Sequence, residues 1–192
     1  MAQTQQATAT KPAITTWNID PAHSNAQFSV RHLMIANVKG EFTKVTGRVS
    51  FDPNRPESLS AEAAIDVSTI NTREPDRDKH LKSADFFDVA HFPTLTFKSK
   101  RAEKGPGSLK LTGDLTIHGA TREVTLEVEG PTPPVQDPWG FTRVGASATT
   151  KINRKDFGLT WNQALETGGV LVGDEIKITV DVELTAQPEE GK

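Results

Sequence analysis

In the run IKITVDVEL near the C-terminus, Ile176, Ile178, Val180, Val182 and Leu184 alternate with Lys177, Thr179, Asp181 and Glu183. Successive side chains of a strand point to opposite faces, so this spacing predicts one face on an apolar interior and the other in water. Ala26, Phe28 and Val30 alternate with Gln27, Ser29 and Arg31 in the same way. Leu59, Ala61, Ala63, Ile65 and Val67 form an odd-numbered stripe, with small residues where the wall could approach something closely. Between these runs, Val38 and Phe42 fall at even positions while Val45, Val49 and Phe51 fall at odd ones. A one-residue slip turns every later side chain to the wrong face, which predicts a bulge or short break near Thr43 and Lys44.

Four further strands are predicted over Thr94 to Arg101, Ser108 to Ile117, Glu123 to Gly130 and Arg143 to Ile152. HGAT at 118–121 reads as a tight hairpin, and GPTPPVQDPWG at 130–140 as an exposed loop that its prolines keep out of any ladder. The period changes once, in NTREPDRDKHLKSADFF. There Asn71 or Thr72 can cap a helix, Pro75 suits its first turn, and Glu74, Asp76 and Asp78 favour its positive end. One short helix is expected over about residues 75–87, held by Leu81, Ala84 and Phe87 because so short a helix is marginal alone. The fold class is therefore all-β: a closed antiparallel barrel of about eight strands, wide enough to be filled by side chains or to hold one small ligand.

The 192 residues suit a single domain, here expected over 15–187, with a disordered lead-in over 1–14 and a tail over 188–192. Hydrophobic residues make up only 35%, which period-2 strands tolerate because they need an apolar side chain at every second position. With 22 basic and 25 acidic residues and no long basic block, nucleic acid is not an expected partner. The absence of cysteine excludes disulfides and thiolate chemistry. No stretch of 18 apolar residues spans a bilayer, and the opening MAQTQQATATKPAITT has no basic segment followed by an apolar core. The expected location is cytoplasmic; a chain from which an export signal had been cleaved would read the same, which keeps the periplasm as the alternative.

Four segments, IDPAHSNAQFSVRHL at 19–33, RDKHLKSADFFD at 77–88, GDLTIHGATREV at 113–124 and INRKDFG at 152–158, together resemble the YceI-like family of polyisoprenoid-binding proteins. The resemblance runs from Trp17 to about Leu184. It implies a lipocalin-like barrel whose elongated apolar tunnel holds a long-chain lipid, typically an isoprenoid, with the polar head at the mouth, often in a homodimer. No cofactor is required; the bound lipid is the expected ligand.

Candidate tunnel residues are Phe28, Val30, Phe42, Ile65, Val67, Leu81, Phe97, Leu115, Ile117, Leu126, Ile178 and Val180. Burying a methylene is worth about 0.8 kcal/mol, so a chain of some twenty carbons gains on the order of 15 kcal/mol gross, much of it offset by the cost of association. The alternative is that these side chains simply fill a solid core. For the head group, a guanidinium offers a planar fork to phosphate or carboxylate, which singles out Arg77 and Arg154. His23, Ser24, His32 and His80 lie in the same segments and could donate to a pyrophosphate, hydroxyl or quinone oxygen. Equally, Arg77 with Asp78 and Arg154 with Asp156 could be ion pairs closing the barrel ends.

Asp20, His23 and Ser24 invite comparison with a hydrolase triad, but adjacent strand residues face opposite ways and no Gly-x-Ser-x-Gly elbow is present. Asp76 and His80 share a helix face, yet no second histidine pair supports a metal, and a salt interaction explains them. The expectation is a non-catalytic carrier or sequestering protein for a polyprenyl phosphate or isoprenoid quinone. The alternatives are a solid-core partner-binding barrel and, more distantly, a lipid hydrolase or isomerase.

Overall fold

The computed structural model describes residues 14–166 and 168–186; the expected lead-in, up to residue 13, and the tail lie outside them. The chain runs through β1 (Thr15–Ile19), β2 (Asn25–His32), β3 (Ala36–Phe42), β4 (Val45–Asp52), β5 (Arg55–Asp66) and β6 (Ile70–Asn71) to the helix α1 (Pro75–Lys82). It continues through β7 (Thr94–Lys104), β8 (Leu109–Ile117), β9 (Ala120–Glu129), β10 (Val135–Gln136), β11 (Thr142–Asn153) and β12 (Val172–Ala186).

The fifteen-residue β12 closes the sheet. Along one edge it pairs with β11 from Thr142↔Ala186 to Asn153↔Glu175, and along the other with β1 and then β2, which lie end to end. In the same manner β4 and β3 lie end to end against β1 and β2, and β5 and β6 against β4 and β3. Taken as continuous staves the order is β1/β2, β3/β4, β5/β6, β7, β8, β9, β11, β12 and back to the first, every pairing antiparallel. This is the closed eight-stranded barrel that the alternation predicts. Thr43 and Lys44 separate β3 from β4 at the place where the apolar parity switches, so each half keeps its greasy side inward.

Three local expectations are corrected. The helix stops at Lys82, five residues early, because Ser83 leaves the helical conformation and its hydroxyl and amide both donate to the His80 carbonyl. The chain then folds back through Phe87 N–H to Leu81 O and Val89 N–H to Lys82 O, which buries Phe86 while leaving Ala84 exposed. Its N-cap is Glu74, whose carboxylate accepts from the amides of Asp76 and Arg77. Finally, the proline-rich loop does join a ladder: Val135 and Gln136 pair with Arg143 and Thr142.

Strand direction puts α1, the segment after it, the 33–35 hairpin and residues 154–171 at one end of the barrel, called here the helix end. The opposite end is floored by Trp17 stacked on Phe51 at 5.7 Å, with Leu109, Val144 and Leu184 buried beside them. At the helix end Phe87 meets Phe42 edge to face at 5.7 Å, and Phe157 and Leu159 are buried. Among the described residues no helix is long and apolar enough to cross a membrane.

Candidate functional site: the barrel interior

Between floor and roof the inward side chains do not meet. They leave a cavity of about 240 Å³, well over ten times the roughly 10–15 Å³ that admits one water. Val172 and Leu184 line opposite ends of it on a single strand. At about 3.3 Å per residue and a strand tilt near 40°, that interval spans roughly 30 Å of barrel axis. The bore is long and narrow. Its wall is almost wholly apolar, interrupted by Gln27, Ser147, Thr150 and Arg154.

Phe28, Val30, Phe42, Ile65, Leu81, Phe97, Leu115, Ile117, Leu126, Ile178 and Val180 all stand on this wall. Val67 does not. Asp66 accepts from the Ser68 amide and caps a 3-10 turn over Val67–Thr69, which lifts Val67 out of the stripe and packs it fully buried outside the bore. Sequence reasoning missed Ala146, Ala148 and Phe86 on the wall. The two alanines continue the inward parity of β11 opposite Val182 and Val180, a signal that small side chains make faint.

The six head-group candidates do not gather at one place. Arg154 lies at the helix end, 2% exposed, and lines the cavity. Its Nε donates to Gly173 O at 2.9 Å, and its Nη1 to Leu159 O at 2.5 Å and Trp161 O at 2.9 Å. Its ion partner is Asp174, at 3.5 Å from Nη2, rather than Asp156. Burial pushes its pKa down, and Asp174 partly restores it. His80, on α1, is held by Asp85 at 2.8 Å rather than by Asp76, and its ring stands edge-on to Phe86 and Trp161. His32 ends β2 opposite Val172. Arg77 is turned away into the base of the helix, where Nε and Nη2 donate to Oγ1 and O of Thr72, while Asp78 accepts from Thr72 instead of pairing with Arg77.

His23 and Ser24 sit elsewhere, at the kink between β1 and β2 near the floor. The Ser24 hydroxyl is buried and accepts from the Glu183 amide at 3.0 Å, pinning the kink to β12. His23 Nδ1 lies 2.9 Å from Asp20 Oδ2, so its ring faces the carboxylate and not the serine. Arg143 donates through Nη1 to Asp20 and Glu183 and through Nε to Asp137 at 2.6 Å. His23 and then Arg143 pull the Asp20 carboxyl down to about 2, and the same hydrogen bond, with Glu183, raises His23. Asp20, His23 and Glu183 offer three ligand atoms within 4.8 Å of one another. Arg143 donates to both of these carboxylates and to Asp137, so the group ties kink, loop and closing strand together.

Comparison with known proteins bears on this interior. Residues 17–184 match the YceI-like domain. A UPF0312 protein of Staphylococcus aureus (strain N315) is 40% identical over 174 residues, covering 90% of this chain and 98% of that protein. The crystal structure of the Campylobacter jejuni YceI protein superposes with a TM-score of 0.69 at 32% identity, covering 82% of this chain and 90% of its own. A polyisoprenoid binding domain from Saccharophagus degradans, described as implicated in plant cell wall breakdown, has a TM-score of 0.63. It is 14% identical and covers 89% of this chain and 98% of its own, so that likeness is one of fold.

Proposed function

Because this chain belongs to the YceI-like domain family, we propose that its barrel binds and carries a long-chain apolar lipid, with a polyisoprenoid as the leading class of ligand. The observation that carries the proposal is the bore itself: a long, narrow, apolar cavity in a barrel that side chains of ordinary size could have filled. A hydrocarbon tail laid along it exchanges water for apolar wall at about 0.8 kcal/mol per methylene. A solid-core module would have no use for that volume, since packing an interior is worth more than leaving it open. The fold shared with a domain described as polyisoprenoid binding supports the choice of ligand class.

The reading is non-catalytic. Ser24 spends its hydroxyl on the β12 backbone and His23 faces Asp20, so neither is arranged to activate the other. The family resemblance carries a further expectation, a homodimer, which sedimentation equilibrium checks independently of the cavity.

The test is extraction. Protein purified without added lipid is denatured in organic solvent and the extract examined by mass spectrometry; one long-chain amphiphile per barrel is expected. Refolded, lipid-free protein should melt at higher temperature when that amphiphile is returned, because a ligand bound only by the folded state stabilises it. An empty extract together with an unmoved melting temperature across isoprenoid alcohols, phosphates and quinones would reject the carrier reading.

A further inference from the structure

At the tip of the 33–35 hairpin Met34 and Ile35 stand 54% and 78% exposed, and Val170 on the adjoining loop 38%. The Leu33 amide ties the two together by donating to Leu171 O at 2.9 Å. Ile35 N–H donates to His32 O at 3.1 Å, closing a four-residue turn whose central residues, Leu33 and Met34, have φ of 51° and 61°. Asn-Gly ordinarily fills such a turn, and Leu and Met in it cost backbone strain. Stability alone would favour small polar residues here.

Behind the tip the outer face of the barrel is basic. Arg31 precedes the turn on β2, and two residues back Ser29 lies between Lys39 of β3 and Lys177 of β12. Among the described residues none of these three cations has a carboxylate partner, and the nearby acids are engaged elsewhere: Glu175 with Lys151 at 3.2 Å and Asp174 with Lys155 at 2.8 Å. Glu41 lies further down β3, away from the tip. Lys177 stands directly opposite Lys151 across the ladder, a like-charge pairing that costs stability. Arg31, Met34, Asn37 and Lys177 border one hollow of about 450 Å³, with the engaged Asp174 and Glu175 completing its rim. The chain as a whole carries a net charge of -3, so this cationic face reverses the overall sign.

We propose that the 33–35 hairpin docks the protein on an anionic bilayer: Met34 and Ile35 enter the acyl boundary while Arg31, Lys39 and Lys177 lie against the headgroups. An apolar tip with a collar of unpaired cations is the chemistry of an interfacial anchor. At about 3.3 Å per residue, Arg31 and Lys39 sit roughly 10–15 Å behind the tip. A tip sunk about 5–10 Å therefore brings these long side chains within reach of lipid phosphates. A soluble acidic partner would satisfy the cations but gives no reason for bare isoleucine and methionine on a strained turn. A second copy meeting this one tip to tip would set two basic collars side by side. The docking does not depend on the bore's carrying lipid. Where the bore does carry it, docking sets the helix end against the phase in which an apolar cargo dissolves.

The full chain is sedimented with phosphatidylcholine vesicles, either pure or with phosphatidylglycerol as about a third of the lipid. Three cations at about fivefold each predict binding roughly a hundredfold tighter to the anionic vesicles, weakening as salt is raised. Ile35→Asp should lower that binding at least tenfold without changing the melting temperature, since the side chain is bare in the folded protein. Arg31→Gln with Lys177→Gln should cost about twenty-five-fold on anionic vesicles and nothing on neutral ones. Leu33→Asn with Met34→Gly relieves the turn, so it should raise the melting temperature while weakening vesicle binding; a lower melting temperature would show that the hairpin serves the fold and overturn the proposal. Equal affinity for both vesicle types, no sedimentation with either, or unchanged binding of Ile35→Asp would each overturn it too. So would Ile35→Asp turning a dimer into monomers while the wild type ignores vesicles, which would make the tip a contact between copies. Solvent extraction of the same preparation reads the cargo separately, so docking can fail with the carrier reading intact.

Discussion

His23 shows how much a single side chain at a strand kink can bias stability without touching the bore. Its folded pKa is raised above the ordinary 6.5 by Asp20 and Glu183. It therefore contributes stability that is fully present below pH 6.5 and lost as pH rises through the raised folded value. Asp20 works in the opposite sense: its contribution is present above its ordinary 3.8 and lost as pH falls through about 2. His23→Gln should accordingly lower the melting temperature at pH 6 and leave it unchanged near pH 9, with lipid affinity unaltered at both. Equal destabilisation at both pH values would show that the ring acts by packing and not by charge. The sequence marked His23 as a residue of interest, but spacing alone cannot say to which end of a barrel a kink belongs. The family-like segments put His23 and Ser24 in one set with Arg154, from which the fold separates them by most of the length of β12.

At the scale of elements, periodicity told strands apart well and helix ends poorly. An alternating stripe is a repeated signal, so β2, β5 and β12 and the break at Thr43 could be read from parity alone. A helix end is decided by one residue, and Ser83 was outweighed by the apolar Phe86 and Phe87 that follow it. The same limitation hid Val67, where a single Asp66 side chain converts a strand end into a turn. None of the residues of α1 is buried, so the helix depends on its caps and on Leu81. Glu74→Ala removes the acceptor for two otherwise unpaired amides and should cost about 0.5–2 kcal/mol. In urea titrations the loss should appear as a lower midpoint at unchanged slope, and hydrogen exchange should quicken first in residues 75–82. Uniformly faster exchange across β7 and β8 would mean that the cap supports the barrel and not only the helix.

For the whole molecule, closure was legible and hollowness was not. Alternation says which side chains face inward, but whether they meet across the axis depends on barrel width and on small residues such as Ala61, Ala63 and Ala148, which leave the bore open. Filling it is therefore a direct test. Leu115, half-buried on the wall and opposite Phe97 in the ladder, has empty space before it. Leu115→Trp should leave a folded barrel, with a stability loss below the roughly 1–3 kcal/mol of an overpacked core because the added ring enters void. The lipid recovered per barrel should fall at least several-fold. Full occupancy in this variant would show that the ligand lies elsewhere.

The closing strand has a consequence for biogenesis. β12 must find β1, β2 and β11 at once, yet β1 and β2 leave the ribosome first and β12 among the last of the described residues. Until then the nascent chain is an open sheet with two unsatisfied edges and a greasy face, the kind of intermediate that aggregates or recruits chaperones. Contacts spanning nearly the full chain also make folding slow. A polypeptide halted before Val172 should collect in the pellet, and adding β12 back as a separate peptide should rescue solubility by completing the ring.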